Sequence, residues 1–235
     1  PSDEVTRDWF RRNRREDAWF ERKTPENAEF ETVTELDLRE IEPLVACPSN
    51  PDNVYPAREL EDVPIHQVIV GSSCNGSYRD FMIAAKMVEG KTRNPQVSFE
   101  INTGSRQTLI NLLVGGGIEK LVRAGARTHE PGCLGCIGMG QAPATGTNSL
   151  RTFPRNFKGR SGTKDDHVYL CSPETAAASA LAGHITDPRS HGRAPSIQLP
   201  EYFLFYNDWF EQPSENPEEV EIVRGPNISP FPALP

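Results

Sequence analysis

The chain has 235 residues, and its 33 acidic side chains outnumber 25 lysines and arginines for a net charge of −8. That size holds one large domain or two small ones, and the acidic balance argues against a general nucleic-acid binder, which carries a basic surplus. No apolar run approaches about 18 residues and none follows a basic stretch at the start, so neither a transmembrane helix nor a signal peptide is expected; five unevenly spaced cysteines argue against a secreted disulfide framework and make the cytosol or another reducing compartment the expected setting.

Taken in chain order, residues 1–64 are charged and mixed. Asp3–Arg15 reads as a helix, and Phe30–Leu38 alternates apolar and polar residues as a strand does. Pro48–Asn53 is a turn-rich loop, with Cys47 just before it and without a cysteine neighbour. The core starts at Ile65. Val68-Ile69-Val70 is a short β-branched run stopped by Gly71, which predicts a buried strand. Tyr78–Gly90 places Phe81, Ala84, Ala85 and Val88 at helical spacing and closes on glycine. Gln96–Ile101 alternates as a second strand. Ser105 is placed to cap a helix with Leu109, Leu112 and Leu113 on one face. Gly115-Gly116-Gly117 breaks it, and Ile118, Leu121 and Val122 mark another helix ending near Gly125. Asn148–Phe153 and Val168–Cys171 read as strands, the latter making Cys171 a buried core thiol. Ser172-Pro173-Glu174 opens an alanine-rich helix to Gly183, with serine as cap, proline in the first turn and an acid beside the positive helix end.

Strands alternating with helices predict an α/β fold, three-layer α/β/α with a mostly parallel sheet, whose ligands sit at the carboxyl ends of the strands. The expected division is a lead-in segment over 1–64, a core domain over 65–190 and a proline-rich linker over 191–235. Tyr202–Phe210 carries six aromatics and reads as a tail packed on the core or on a neighbouring domain, since a nucleic-acid stacking surface needs basic neighbours that are absent. The chain begins on Pro1 and ends in the extended run Gly225–Pro235, so a segment of a longer protein, or a trimmed one, is expected.

The chemistry concentrates in Pro131-Gly132-Cys133-Leu134-Gly135-Cys136-Ile137-Gly138-Met139-Gly140-Gln141. Glycine lets a backbone approach a bulky inorganic group, and two thiolates at this spacing grip one metal centre. A zinc ribbon needs a second such pair, which is missing. A thioredoxin-like redox pair opens a helix, whereas these flanks continue as loop. A metal-cluster site is the third reading. Cys74, in the turn Gly71–Ser77, offers a third thiolate from a second loop.

These motifs together resemble the aconitase superfamily of iron–sulfur hydro-lyases. Val70–Asp80 is similar to the family's Gly-Ser-Cys-Thr-Asn stretch, Cys133–Gly138 to its Cys-Gly-Pro-Cys-Ile-Gly, Arg155–Arg160 to its Arg-Asn-Phe-x-Gly-Arg, and Cys171–Glu174 to the start of its Ser-Pro-Glu helix. Pro51-Asp52-Asn53-Val54 fits the lead-in. The resemblance implies a 4Fe–4S cluster held by Cys74, Cys133 and Cys136, with one iron open to substrate as a Lewis acid. It implies a tricarboxylate substrate, with Arg155 and Arg160 as its carboxylate-binding arginines; for these two, surface salt bridging is the plainer alternative. The aconitate hydratase branch, interconverting citrate and isocitrate through cis-aconitate, is the nearest resemblance. An isopropylmalate or homoaconitate dehydratase-type enzyme and a cluster-less structural paralogue are the alternatives. The family's His/Asp pairs and serine base lie on domains not represented here, so no catalytic acid or base is expected in this segment. It resembles the cluster-bearing third domain plus the linker to a mobile fourth, inactive without its partner domains.

Two positions depart from the pattern. The family's cysteine aligns with Ser73, and Cys74 takes the threonine place; one residue is about 3.8 Å of chain and re-aims a side chain. Serine is also a harder, less acidic ligand than thiolate. Pro154 stands where the family usually has asparagine, and it offers no side-chain donor.

Overall fold

Two periodicities meet in the middle of the chain. Val68, Val70, Phe99, Ile101 and Leu150 lie at alternating strand positions, and Phe81, Ala84, Ala85 and Val88 at helical spacing. In the computed structural model, which describes residues 2–221 and 223–229, both sets are buried in one core. The elements are α1 (Glu4–Arg12), β1 (Leu44–Ala46), β2 (Val54–Pro56), β3 (Gln67–Gly71), α2 (Tyr78–Val88), β4 (Ser98–Asn102), α3 (Arg106–Val114), α4 (Gly117–Arg123), β5 (Arg127–Thr128), β6 (Asn148–Arg151), β7 (His167–Leu170) and α5 (Pro173–Ala182), with short 3-10 turns between.

Seven strands form one sheet in the order β2-β1-β7-β6-β3-β4-β5. The pairs among β3 to β7 are parallel, and β1 joins β2 and β7 antiparallel. The α/β class and mostly parallel sheet are those the sequence predicts. The apolar side chains of the central strands share one core cluster with α2, α4 and α5. On α5, Ala176, Ala177, Ala178 and Ala180 are fully enclosed; side chains this small let the helix lie close on β3. The opposite face carries Gln67, Glu100, Asn102, Ser149 and Arg151, all buried. Over it runs the loop from His129 to Gln141, with the 3-10 turn Gly135–Ile137.

Helix ends follow the local chemistry. Ser77 and Asp80 form a reciprocal capping box on α2. Ser105 caps α3 and Ser172 caps α5. Gly90 and Gly183, at φ +72 and +91, take the left-handed conformation just past α2 and α5. α1 stops at Arg12, three residues short of the helix expected over Asp3–Arg15, and Arg14 turns left-handed at φ 54.

Phe30–Leu38 is not a strand. Its apolar side chains Phe30, Val33, Leu36 and Leu38 are exposed, and no described segment pairs with it; alternation without a partner ladder or a face to bury does not hold a strand. Conversely, β1 and β2 flank the expected Pro48–Asn53 loop as an edge hairpin. Cys171 is half-buried against the core rather than enclosed in it, and burial still pushes its thiol well up.

The chain divides into a compact unit ending at Leu204 and a second from Phe205 onward. Within the first, residues 199–204 pack on the rest: Phe203 meets Tyr78 edge-on, the Leu204 amide donates to Asn111 Oδ1 (2.9 Å), and Arg12 donates to Pro200 O (2.5 Å). Within the second, Trp209 and Phe210 stack. The proline-rich end Pro230–Pro235 lies outside the described residues. Among the described residues no helix is long and apolar enough to cross a membrane.

Removing the α5 cap with Ser172→Ala, which takes the acceptor from the Thr175 amide, is expected to cost about 1 kcal/mol. That loss lowers Tm by about 2–4 °C for a domain of this size. Ser172→Asp keeps an acceptor and should melt near wild type. Equal melting of all three proteins in a thermal scan would show that the cap contributes nothing.

Candidate metal centre

After β3 the chain proceeds to β4 on one side and later returns to β6 on the other. The crevice at the carboxyl ends of β3 and β6 is therefore the topological switch point, where an open α/β sheet places its ligand site. Three loops converge there. The β3–α2 turn, Ser72–Ser77, is laced to its neighbours through backbone: Ser72 N donates to Asn102 O (2.7 Å) and Gly104 N to Gly76 O (3.3 Å). A Cβ on Gly71 or Gly76 would overlap the Asn102 or Ser72 carbonyl, so these contacts require glycine. Thr152, just past β6, accepts from Gly71 N at Oγ1 (2.8 Å) and from Asn75 Nδ2 at its carbonyl (2.6 Å). Asn102, at the end of β4, donates from Nδ2 to Glu130 O and accepts at Oδ1 from Gly135 N (3.4 Å), so one buried amide holds two points of the cysteine loop.

On that loop the Cys133 and Cys136 sulfurs are 2.8 Å apart. Burial raises both thiols, but Cys133 ends below the ordinary value because the Cys136 thiol, the Ser73 hydroxyl and amide, and the Ser72 hydroxyl stabilise its thiolate. Cys136 ends above it, raised by burial and by the neighbouring Cys133 thiolate, with Arg160 opposing. Arg160 lies on this pair, donating from Nη1 to Cys136 O (2.6 Å) and approaching Cys136 Sγ at 3.5 Å from Nη2. Its loop is clamped by the buried Asp166, which accepts from the amides of Gly159 (2.9 Å) and Ser161 (3.2 Å) and from the Ser161 hydroxyl. Those hydrogen bonds outweigh burial and hold the Asp166 carboxyl below its usual value. Arg155 is exposed.

Cys74 is exposed, with its sulfur 4.0 Å from the Ser73 hydroxyl, and it is Ser72 and Ser73 that lie against Cys133. Ser72 sits at φ 73, and its buried hydroxyl has no aligned hydrogen-bond partner. Among the described residues no three His, Cys, Asp or Glu side chains gather as a metal-holding group. What fits a cluster is the pair Cys133/Cys136 on a glycine-lined loop, with the Ser72-Ser73 turn against Cys133. Cys47 is buried at the end of β1, where its carbonyl accepts from Asn156 Nδ2 (2.8 Å), and burial raises its thiol.

The sequence reading passed over Arg151. It is 1% exposed on the polar face of β6. Its guanidinium donates to Ser149 Oγ (2.7 Å), Gln67 Oε1 (2.9 Å), Gly135 O (3.1 Å) and Gln141 O (3.0 Å). Burial pushes its pKa down to about 10, resisted by Glu100 and Asp166, so it stays charged at neutral pH. Glu100 is buried nearby, accepting from Gln67 Nε2 (3.1 Å) and Ser98 Oγ (2.8 Å). His129 Nε2 stands 3.0 Å from the other Glu100 oxygen without the alignment of a hydrogen bond. The available signal was positional: Arg151 occupies one of two alternating positions in a strand whose other face is core.

The family model described as "Aconitase family (aconitate hydratase)" matches residues 56–183. A 3-isopropylmalate dehydratase large subunit 1 of Thermotoga maritima is 40% identical over 192 residues, 80% of this chain and 46% of that protein. A 3-isopropylmalate dehydratase large subunit 1 of Methanopyrus kandleri is 43% identical over 163 residues, 68% of this chain and 39% of that protein. A probable methanogen homoaconitase large subunit of Methanosarcina mazei is 45% identical over 154 residues, 65% of this chain and 39% of that protein. The chain thus spans less than half the length of these curated relatives.

Asp166 has a depressed folded-state pKa, so the stability it contributes is present above its ordinary value of 3.8 and is lost as pH falls through the lower folded value. Asp166→Asn is therefore expected to destabilise the chain fully at pH 7, and the gap to wild type should narrow below pH 3.8. Denaturant unfolding across that range checks it; a gap independent of pH would remove the carboxylate's charge from the account.

Proposed function

The chain belongs to the aconitase family, and on that footing we propose that it is the cluster-bearing part of a hydro-lyase acting on a 3-isopropylmalate- or homoaconitate-type hydroxy acid. The citrate–isocitrate reading favoured by the motifs gives way here. The curated relatives named above are 3-isopropylmalate dehydratase and homoaconitase large subunits, at 40–45% identity. The observation that carries the reading is the Cys133/Cys136 pair on its glycine-rich loop, with Arg160 against it, at the carboxyl ends of β3 and β6.

In this reading Cys133, Cys136 and Cys74 hold a 4Fe–4S cluster. Thiolate is the softer and better iron ligand, and exposed Cys74 lies in a turn whose neighbour Ser73 already touches Cys133. When bound, the cluster supplies a Lewis-acid iron that polarises the substrate hydroxyl for departure. The chain's own side chains bind and orient. Arg160, half-buried beside Cys136, offers a rigid fork to a substrate carboxylate, and exposed Arg155 offers a second cation. Asp166 keeps the Arg160 loop in place. The acid–base group and the cover that excludes water come from the remainder of the protein and from a smaller partner subunit, as the designation of the relatives as large subunits suggests.

Anaerobic reconstitution with iron and sulfide should load about four irons per chain. Cys133→Ser and Cys136→Ser should each abolish loading, and full iron in either variant would sink the cluster assignment. Cys74→Ser should lose iron while Ser73→Ala keeps it; the reverse result assigns the third position to Ser73. In the intact protein, kcat/KM for 3-isopropylmalate or homoaconitate should exceed that for citrate by at least about 100-fold, a size of discrimination that specific contacts to substrate groups supply. Comparable values would return the chain to the citrate–isocitrate reading.

A further inference from the structure

The most connected side chain at the centre is none of the donors. Arg151 is buried on β6, and its fork spans two carbonyls of the cysteine loop: Gly135 O, between the two cysteines, at 3.1 Å, and Gln141 O, at the far end of the loop, at 3.0 Å. Its other bonds, to Ser149 Oγ and Gln67 Oε1, fix the guanidinium to β6 and β3. Asn102 takes the Gly135 amide, so the peptide groups on both sides of residue 135 are held from the sheet. Two further bonds hold the ends of the loop, from Gln67 Nε2 to Gln141 O (3.2 Å) and from Gly132 N to Thr103 O (2.8 Å), while the enclosed Gln141 side chain has neither amide atom hydrogen-bonded. Glu100 is tied to Arg151 through the Gln67 amide, which donates to Glu100 Oε1 (3.1 Å) and accepts from Arg151 (2.9 Å).

We propose that Arg151 is a positioning residue for the cluster: it fixes the Cys133–Gln141 loop so that the two sulfurs are presented together, and it places a permanent positive charge beneath an anionic metal centre. The inference rests on the cluster reading. Two consequences separate. The forked geometry governs how tightly the loop holds iron, since groups that orient metal ligands are worth about 10–100-fold in affinity. The charge governs reduction potential, because a buried cation favours the more negative, reduced cluster.

Arg151→Lys keeps the charge but a single ammonium does not reproduce the fork; Arg151→Met removes both. In the intact protein, iron affinity from anaerobic chelator competition should fall at least about tenfold in both variants. The reduction potential should stay near wild type in Arg151→Lys and become more negative in Arg151→Met. In iron-free protein, amide exchange should accelerate over residues 132–141 in both variants while β3 and β4 remain protected, a readout independent of any cluster. A folded Arg151→Met with wild-type iron affinity, potential and loop protection overturns the inference. Should that variant fail to fold, wild-type iron affinity and loop protection in Arg151→Lys overturn it instead. A wild-type protein that takes up no iron refutes the cluster reading itself, and loop exchange then still decides whether Arg151 holds the loop.

Discussion

A guanidinium at 1% exposure has to be surrounded by acceptors, and that requirement organises one whole face of this sheet. Taking an ion out of water costs several kcal/mol even after relaxation. Four charged hydrogen bonds, each worth about 1.5–3 kcal/mol, offset it only if every one is made. Arg151 finds two acceptors in side chains of the sheet and two in loop carbonyls. The loop therefore cannot wander from the sheet without stranding the charge. Alternation along β3, β4 and β6 then has chemical meaning: odd and even positions divide into a hydrocarbon core under α2 and α5 and a hydrogen-bonded floor under the cysteines.

Above that floor, convergence depends on backbone meeting backbone. Gly71 and Gly76 admit the Asn102 and Ser72 carbonyls into space a Cβ would occupy. Asn102 and Thr152 then connect the ends of β4 and β6 to the turn after β3 and to the loop after β5. The three segments that meet at the switch point are separated by tens of residues, and their alignment is set by the parallel register of the strands that lead into them.

Much of the fold was legible because local chemistry and tertiary packing agree. Ser105 and Ser172 look like caps and are caps. The β-branched run at Val68–Val70 has nowhere to go but a buried strand. Phe30–Leu38 shows the limit: alternation announces a strand only if a partner strand and a buried face exist, and neither is encoded locally. The β1–β2 hairpin was missed for the complementary reason, since three-residue strands carry almost no periodicity. At the site, Cys133 and Cys136 were legible from spacing, and Arg160 from its motif, while Arg155 from the same motif is exposed. Arg151 and Asn102 were not, because their importance lies in what the topology brings over them from residues 130–141. At the third position, Ser72 with its left-handed backbone and Ser73 lie against Cys133, while Cys74 beside them is exposed.

The rim of the cysteine loop has a different character from its floor. Leu134, Ile137 and Met139 stand exposed beside the sulfurs, and Phe157 is exposed on the neighbouring loop. A chain with a net charge of −8 keeps its copies apart in dilute salt by mutual repulsion. Added electrolyte shortens that repulsion to a few ångströms while leaving the oily rim as attractive as before. Ionic strength thus governs how closely copies of the isolated chain approach, and the oily rim beside the thiols is among the surfaces such an approach brings into play.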